Sequence, residues 1–228
     1  MLLKVKNKII YSPGICRTGT TSLMDTLDKY TIPLHAPGDI SWVKKTDLSI
    51  KNKHLPYEIM NLKRLSSEVY KFAIVRNPWS KMYSQYKRDA SGSTDSSNYE
   101  INRDKFNEYI NNLPHVIDKD SGGNQYRWFS QIRWLGGTTT RKHGTMDELL
   151  DSITKEYDYI DKFENIAIVK NKILNDIGLD PKEYNMPHLN KSSNNPKDYL
   201  EFYDQSSIDL ISNIYKEDIK YLNYTYEN

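Results

Sequence analysis

Residues 8–23 read KIIYSPGICRTGTTSL, a short β-prone run that meets a Pro-Gly pair and is followed by a helical pattern. Leu23 and Leu27 are spaced to share one helix face, so the predicted order is strand, turn and helix. Gly14 and Gly19 stand five positions apart in the turn. A turn of this kind places backbone N–H groups at a helix start, which is a common arrangement for binding an anion.

A second strand–turn–helix unit begins at residue 70. Residues 70–76 read YKFAIVR, an apolar run typical of a strand that is buried on both faces. Asn77 can cap a helix, and Pro78 suits the first helical turn. Two sets of side chains then follow at helical spacing, an apolar set predicted to pack inward (Trp79, Met82, Tyr83, Tyr86) and a polar set on another side (Ser80, Ser84, Lys87).

Two such units predict an α/β protein with a P-loop-like fold, in which helices flank a central parallel sheet in three α/β/α layers. At 228 residues, we expect one domain over residues 1–228.

Residues 89–98, DASGSTDSSN, predict a mobile polar loop with the composition of a lid. Residues 166–169 predict another short strand, which leads into a helix over 170–177. Residues 206–221 predict the last helix.

The overall charge narrows the possible partners. Lys and Arg total 32 against 30 for Asp and Glu, so the formal net charge of +2 provides no global attraction for nucleic acid. Any anion site must therefore be local.

The single cysteine, Cys16, excludes an intramolecular disulfide. Residues 1–11 are too interrupted by lysine for a signal peptide, and no stretch suits a membrane span, so a cytoplasmic location is expected.

The first glycine-rich turn differs from the loop that binds nucleoside triphosphates. That loop needs a lysine directly after its second glycine, whereas Thr20 follows Gly19 here and the one nearby cation is Arg17. A triphosphate would lack its usual clamp. Backbone N–H groups, a guanidinium and the hydroxyls of Thr20, Thr21 and Ser22 suit a 5′-phosphosulfate instead.

The second unit supplies another anion site. Arg76 ends its strand and Ser84 lies about two turns into the following helix, so both side chains can reach one anion above the carboxyl edge of the sheet. A nucleotide with phosphates at its 3′ and 5′ positions would satisfy both sites. ATP would leave Arg76 and Ser84 without a phosphate.

These two segments resemble the nucleotide-binding motifs of sulfotransferases. Residues 17–23, RTGTTSL, resemble the 5′-phosphosulfate loop, although Arg17 stands where that family usually has lysine. Residues 72–86, FAIVRNPWSKMYSQY, are similar to the 3′-phosphate motif, with the same spacing of Arg76 and Ser84. The nearest branch is the carbohydrate sulfotransferases of family 2, related to heparan sulfate 2-O-sulfotransferase. Weaker similarity extends over residues 53–55, 162–165, 188–192 and 214–224.

The resemblance implies 3′-phosphoadenosine 5′-phosphosulfate as the donor, a hydroxyl of an oligosaccharide or other glycan as the acceptor, and direct in-line displacement without a metal. It implies His54 as the general base, with His35 and Glu58 as reserves, and Arg17 as the group that stabilises charge on the leaving phosphate. The implied donor-binding residues are Arg17, Thr18, Gly19, Thr20, Thr21, Ser22, Arg76, Ser84, Lys191 and Ser192.

Several other residues have competing interpretations. Glu164 and Gln131 match family positions, but a buried capping or strand-end role also explains them. Trp128, Arg133 and Trp134 fit either an acceptor groove or the core, and Cys16 is expected to be inert.

Two alternative functions stay open, a P-loop kinase that uses ATP and Mg²⁺ and a non-catalytic nucleotide- or glycan-binding protein.

Overall fold

The computed structural model describes residues 2–5, 8–19, 22–23, 26–27, 31–32, 69–92, 99–119, 127–136, 145–185 and 197–227. The strands in these ranges are β1 (Leu2–Val5), β2 (Lys8–Tyr11), β3 (Thr31–Ile32), β4 (Val69–Val75) and β5 (Tyr159–Lys162). The helices are α1 (Pro78–Ser91), α2 (Arg103–Asn111), α3 (Leu113–Lys119), α4 (Gln131–Leu135), α5 (Met146–Glu156), α6 (Ile166–Asp176), α7 (Gln205–Ile214) and α8 (Lys216–Tyr221). Short 3₁₀ helices span Phe163–Asn165, Pro181–Glu183 and Asp198–Glu201.

The five described strands form one sheet in the order β3-β1-β2-β4-β5. The three strands β2, β4 and β5 are parallel, with Ile10 opposite Tyr70 and Ala73 opposite Ile160. β1 pairs antiparallel with both β2 and β3. The α/β class and the central parallel strands are therefore confirmed, whereas the antiparallel edge formed by β1 and β3 was not predicted.

Side chains alternate along β4 between two helical layers, as expected for a strand buried on both faces. On one face Val69, Ala73 and Val75 belong to a cluster with residues of α4 and α5. On the other face Phe72 and Ile74 pack with residues of α6 and with Leu23 and Leu27, which are helical. This arrangement gives the predicted three layers.

The inward face of α1 builds a third cluster beside the sheet. The predicted apolar set (Trp79, Met82, Tyr83, Tyr86) packs with residues of α2 and α7 and with several tyrosine rings. Tyr86 and Phe106 meet edge to face with ring centroids 5.3 Å apart. The polar set on the other side of α1 is also buried, although its sequence is typical of a solvated face.

Three segment predictions were wrong in part. Residues 166–169 form the first turn of α6, and the strand lies earlier, at β5. Helix α1 continues through Asp89 to Ser91 and ends at Gly92, whose φ of 62° is left-handed. The predicted loop therefore does not include residues 89–91, and residues 93–98 lie outside the described ranges. The last predicted helix starts at Gln205 and is divided into α7 and α8 at Tyr215.

Among the described residues, no helix is both long enough and apolar enough to cross a membrane. Nor do those residues bring together three or more His, Cys, Asp or Glu side chains in a group that would hold a metal ion.

Candidate functional site

The glycine-rich turn after β2 has three residues with left-handed backbone. The φ angles are 62° at Gly14, 65° at Arg17 and 74° at Gly19. Glycine adopts this conformation freely, but Arg17 does so at a cost of about 1–2 kcal/mol. A non-glycine residue held in this region is more common at binding sites than elsewhere. The Thr18 hydroxyl donates a hydrogen bond to the Ile15 carbonyl oxygen at 2.8 Å, which closes the turn from within.

Ser22 and Leu23 are helical, and the backbone N–H of Leu23 donates to the Gly19 carbonyl oxygen at 3.1 Å. Gly19 also lies against the ring of Phe163. A Cβ atom at position 19 would lie 2.7 Å from Cε2 of Phe163, which is closer than any ordinary contact. Glycine is therefore required here for its backbone angle and for space.

The second predicted site begins where β4 ends. The Arg76 guanidinium donates from Nε and Nη2 to the Ser80 hydroxyl oxygen at 3.1 and 2.8 Å, and from Nη1 to the Arg17 carbonyl oxygen at 2.9 Å. An arginine side chain has five N–H donors. Two of those on Arg76 are thus left uncommitted by the described residues. Ser80 was not predicted as a site residue, although its position four residues after Arg76 places it one helical turn along.

The two predicted sites meet directly. Nε of Arg17 donates to the hydroxyl oxygen of Ser84 at 2.9 Å, so the guanidinium of the first loop lies against the polar face of α1. Together with the bond from Arg76 to the Arg17 carbonyl, this contact joins both motifs into one site. The structure therefore brings Arg17, Arg76 and Ser84 together, with Thr18 and Gly19 in the adjoining turn and Ser22 buried in the helix after it.

The electrostatics of the site favour an anion. Burial and then the charge of Arg76 lower the pKa of Arg17 to about 10. Burial likewise lowers the pKa of Arg76 to about 10, opposed by the negative charge of Glu164. Neither guanidinium belongs to any of the ion pairs formed within the described ranges. Both groups stay charged at neutral pH, so a phosphate between them would replace lost hydration with opposite charge.

Helix α1 is fixed at its start by Asn77. The Asn77 side-chain oxygen accepts from the backbone N–H groups of Trp79 and Ser80 at 3.0 and 3.2 Å, as the predicted cap requires. Its side-chain amide donates to the Thr225 carbonyl oxygen at 2.8 Å. The backbone N–H of Asn77 donates to Oε1 of Glu164 at 2.9 Å.

Gln131 thus has the buried strand-end role that was one of its two predicted interpretations, whereas Glu164 is exposed, although its carboxylate accepts from the backbone of Asn77. Glu164 holds Asn77, and the Tyr224 hydroxyl donates to its second oxygen at 3.3 Å. Gln131 forms two hydrogen bonds to the backbone of Arg76. Both side chains support the strand end and leave the guanidinium of Arg76 to face the site.

Phe163 is a site residue that the sequence interpretation missed. The Arg76 guanidinium carbon lies 4.6 Å from the Phe163 ring centroid, a cation–π distance. The same ring lies against Gly19, so Phe163 packs against both anion-binding motifs. Phe163 could have been found from the sequence, because it lies within residues 162–165, which resemble the corresponding segment of the family.

The residues considered for an acceptor groove take part in core packing or in an ion pair. Trp128 and Trp134 are buried in the core, and Nε1 of Trp134 donates to the Pro13 carbonyl oxygen at 3.1 Å. Arg133 forms a two-point ion pair with Glu217, with N–O distances of 2.7 and 2.6 Å. Cys16 is buried, and burial raises its pKa, so the thiol is protonated at neutral pH as an inert cysteine should be.

Several predicted site residues lie outside the described ranges. These are His54, Thr20, Thr21, Lys191 and Ser192, together with the reserve candidates His35 and Glu58.

A glycine-rich turn between a strand and a helix, beside an arginine that directly follows a parallel strand, is an arrangement that suits a phosphorylated ligand in α/β proteins. The sequence model of the Sulfotransferase family matches residues 15–225, a range that includes both anion-binding motifs. The chain belongs to the sulfotransferase family, in agreement with the resemblance of its motifs to family 2, and this membership supports sulfuryl transfer in general. No match was found among curated proteins or among solved structures.

Proposed function

We propose that the protein transfers a sulfuryl group from 3′-phosphoadenosine 5′-phosphosulfate to a hydroxyl group of a carbohydrate, and that residues 1–228 act as a single domain. The observation that carries this proposal is the contact between the two motifs. Arg17 bonds Ser84, and Arg76 bonds the backbone of Arg17, so two cations from separate strand–turn–helix units lie in one site.

The described residues fit a donor that carries two phosphate groups. Arg76 retains N–H donors beside the buried hydroxyls of Ser80 and Ser84, which suits a 3′-phosphate. Arg17, Thr18, Gly19 and the helix that follows suit the 5′-phosphosulfate. In the proposed site Thr20, Thr21 and Ser22 add hydroxyl groups to the 5′ side, and Lys191 and Ser192 close over the nucleotide.

The proposed mechanism divides the chemistry between the two reacting oxygens. The donor supplies an activated sulfuryl group attached to a phosphate leaving group. Arg17 stabilises the negative charge that develops on that phosphate, and because its guanidinium keeps its proton at neutral pH, we assign it no proton transfer to the leaving group. His54 takes the proton of the acceptor hydroxyl, and the displacement is in line and needs no metal.

Comparison with ATP separates this proposal from the kinase alternative. The first turn has Thr20 where a triphosphate-binding loop has lysine. The family match likewise supports sulfuryl transfer rather than phosphoryl transfer.

A transfer assay tests the proposed activity. The protein is incubated with ³⁵S-labelled 3′-phosphoadenosine 5′-phosphosulfate and a panel of oligosaccharides, phenols and tyrosine peptides, and labelled products are separated from donor. We expect label on one or more oligosaccharides. Label confined to phenols or peptides contradicts the carbohydrate acceptor. Donor binding without transfer to any acceptor favours the non-catalytic alternative.

The His54→Ala variant tests the general base in the same assay. Loss of a general base lowers a rate by about 10²–10⁴-fold, so we expect turnover to fall while the affinity for adenosine 3′,5′-bisphosphate is kept. A His115→Ala variant provides the matched control and should keep full turnover, because His115 is exposed on α3 and belongs to neither anion-binding motif. Full turnover in His54→Ala would show that another group takes the proton.

A further inference from the structure

The side chain of Gln131 holds the backbone of Arg76 at both of its polar atoms. The Arg76 N–H donates to Oε1 of Gln131 at 2.8 Å, and Nε2 of Gln131 donates to the Arg76 carbonyl oxygen at 2.7 Å. Strand β4 ends at Val75, so Arg76 lies one residue beyond the end of its ladder with β5. The amide of Gln131 therefore continues the pairing by one residue, as a further strand would.

Gln131 is itself held in place from the other end of the chain. It is the first residue of α4 and is 0% exposed. Its backbone N–H donates to Oδ2 of Asp218 at 2.8 Å, while Oδ1 of Asp218 accepts from Ile132 N–H at 3.0 Å and from the Ser130 hydroxyl at 2.6 Å. Asp218 is also 0% exposed, so its carboxyl group caps α4 inside the protein.

Charge within the core supports this anchor. Burial raises the pKa of Asp218, whereas its three hydrogen bonds and the nearby Lys81 cation oppose that shift. The Lys81 ammonium group is buried as well and donates to the Arg127 and Phe129 carbonyl oxygens at 3.2 and 3.5 Å. A buried charge with fixed hydrogen bonds resists displacement, because each lost bond leaves a desolvated group.

Arg76 is the residue through which Gln131 would affect the site. Arg76 carries the guanidinium proposed to bind the 3′-phosphate, and a backbone shift at Arg76 would be transmitted along its side chain to that guanidinium. The bonds to Ser80 hold the guanidinium from the side of α1, and the amide of Gln131 holds the main chain from the side of α4.

We propose that Gln131 is a positioning residue, which acts through Arg76 to set the selectivity of the enzyme for nucleotides that carry a 3′-phosphate. This inference rests on the proposed function, because it assumes a donor of that class. It assigns no contact between Gln131 and the nucleotide itself.

The test compares two nucleotides that differ only at the 3′ position. Dissociation constants for adenosine 3′,5′-bisphosphate and adenosine 5′-monophosphate are measured by calorimetry for the wild type and for Gln131→Met, which keeps the side-chain length and removes both hydrogen bonds. We expect the preference for the bisphosphate to fall by about tenfold, with the monophosphate affinity within about twofold of wild type.

Asn107→Leu is the matched control. Asn107 is another buried amide whose side chain bonds backbone groups, namely the Arg103 and Phe202 carbonyl oxygens and the Asp204 N–H, but it lies on α2 outside the site. The control should lower the melting temperature and leave the preference unchanged. An equal loss of preference in both variants would reduce Gln131 to a general stabilising role.

Gln131→Glu provides a second measurement if Gln131→Met does not fold. A protonated glutamate reproduces both hydrogen bonds, whereas an ionised one turns a lone pair toward the Arg76 carbonyl oxygen. The preference of this variant, divided by that of wild type at the same pH, should therefore decrease from pH 5.5 to pH 8. A constant ratio equal to one, in a variant whose introduced carboxyl is shown by its infrared carboxylate band to ionise over this pH range, would overturn the proposal.

Combining the substitution with Arg76→Ala shows whether the effect passes through Arg76. In the Arg76→Ala background, Gln131→Met should cause no further loss of preference. A further loss of the same size would mean that Gln131 acts by another route. A wild-type protein without any preference for the bisphosphate would instead refute the proposed donor class, and the two failures are thereby distinguished.

Discussion

Arg17 and Arg76 bring two positive charges into one place, where their hydrogen-bond partners within the described ranges are serine hydroxyls and a backbone carbonyl rather than carboxylates. Such an arrangement is costly without a ligand, because two desolvated cations repel each other. A phosphate supplies opposite charge together with several acceptor oxygens. A bound phosphorylated ligand would therefore offset this unfavourable free energy in the proposed site.

The serine hydroxyls give the first prediction. Ser80 accepts two N–H groups of Arg76, and Ser84 accepts one from Arg17. We expect Ser80→Ala and Ser84→Ala each to lower the affinity for adenosine 3′,5′-bisphosphate by at least about tenfold. The reason is that a hydrogen bond to a charged group contributes about 1.5–3 kcal/mol. Calorimetric titration measures the effect.

Ser91→Ala is the control for these two substitutions. Ser91 lies at the end of the same helix, and its hydroxyl donates to the Arg88 carbonyl oxygen at 3.1 Å. Its removal should leave the affinity unchanged. If Ser80→Ala and Ser84→Ala also kept wild-type affinity, neither hydroxyl would belong to the phosphate site.

The lowered arginine pKa values predict how binding depends on pH. Both values fall to about 10, so both groups are charged at pH 7.5–9 and begin to lose protons above that range. Bound phosphate favours the charged form and so raises each pKa, which couples binding to protonation. The affinity for the bisphosphate should therefore be constant from pH 7.5 to 9 and fall as the pH rises through 10.

Calorimetry across this pH series provides the measurement. The lower limit of pH 7.5 keeps the phosphate dianionic, since its second pKa is about 6. A tenfold decrease between pH 7.5 and 9 would indicate that a group with a lower pKa, rather than the two arginines, holds the phosphate.

The turn after β2 depends on the 3₁₀ helix Phe163–Asn165, because Gly19 leaves no room for a side chain beside Phe163. A left-handed backbone costs an alanine about 1–2 kcal/mol. We expect Gly19→Ala to lower the free energy of unfolding by more than this amount, because its Cβ atom would also meet Phe163, and to weaken bisphosphate binding. Urea denaturation and calorimetry measure the two effects.

Gly92→Ala separates backbone cost from steric cost. Gly92 has a similar φ of 62°, and a Cβ atom there would meet no atom within 4 Å. This variant should lose only the backbone contribution and bind the bisphosphate as wild type does. Equal destabilisation in the two variants would show that Phe163 moves aside without cost.

Elements whose signals are local could be predicted from the sequence, and this holds for β4 and α1. The apolar run, the Asn77 cap and Pro78 act within a few residues of one another, so the boundary between strand and helix follows from them. Residues 166–169, IAIV, gave the wrong element, because a short apolar run suits a buried strand and a buried helix turn equally. β1 has only four residues, and its pairing with β2 and β3 decides its conformation.

The part of the site that lies within one motif could be predicted from the sequence. Arg76 and Ser84 belong to the same motif, so their spacing alone placed them in one predicted anion site. The bond from Arg17 to Ser84 joins residues 67 positions apart, and those from Gln131 to Arg76 join residues 55 positions apart. Such contacts depend on how the layers pack, so sequence spacing alone could not show that the two anion-binding motifs form one site.

The core as a whole positions this site through its two opposite layers. Gln131 comes from α4, whose residues pack on one face of β4, and Phe163 packs with the cluster on the other face. Arg76 lies between them, at the end of the strand that both layers share. With a formal net charge of only +2, the attraction for a polyanionic ligand must arise from this local arrangement rather than from the whole surface.

Equilibrium binding tests this account most directly. Calorimetric titration of the wild type with adenosine 3′,5′-bisphosphate should show one site, at least about tenfold tighter than the site for ATP with Mg²⁺, and Arg76→Ala should abolish that preference. Tighter binding of ATP with Mg²⁺, or an Arg76→Ala protein that still prefers the bisphosphate, would contradict the assignment of this site to a sulfuryl donor.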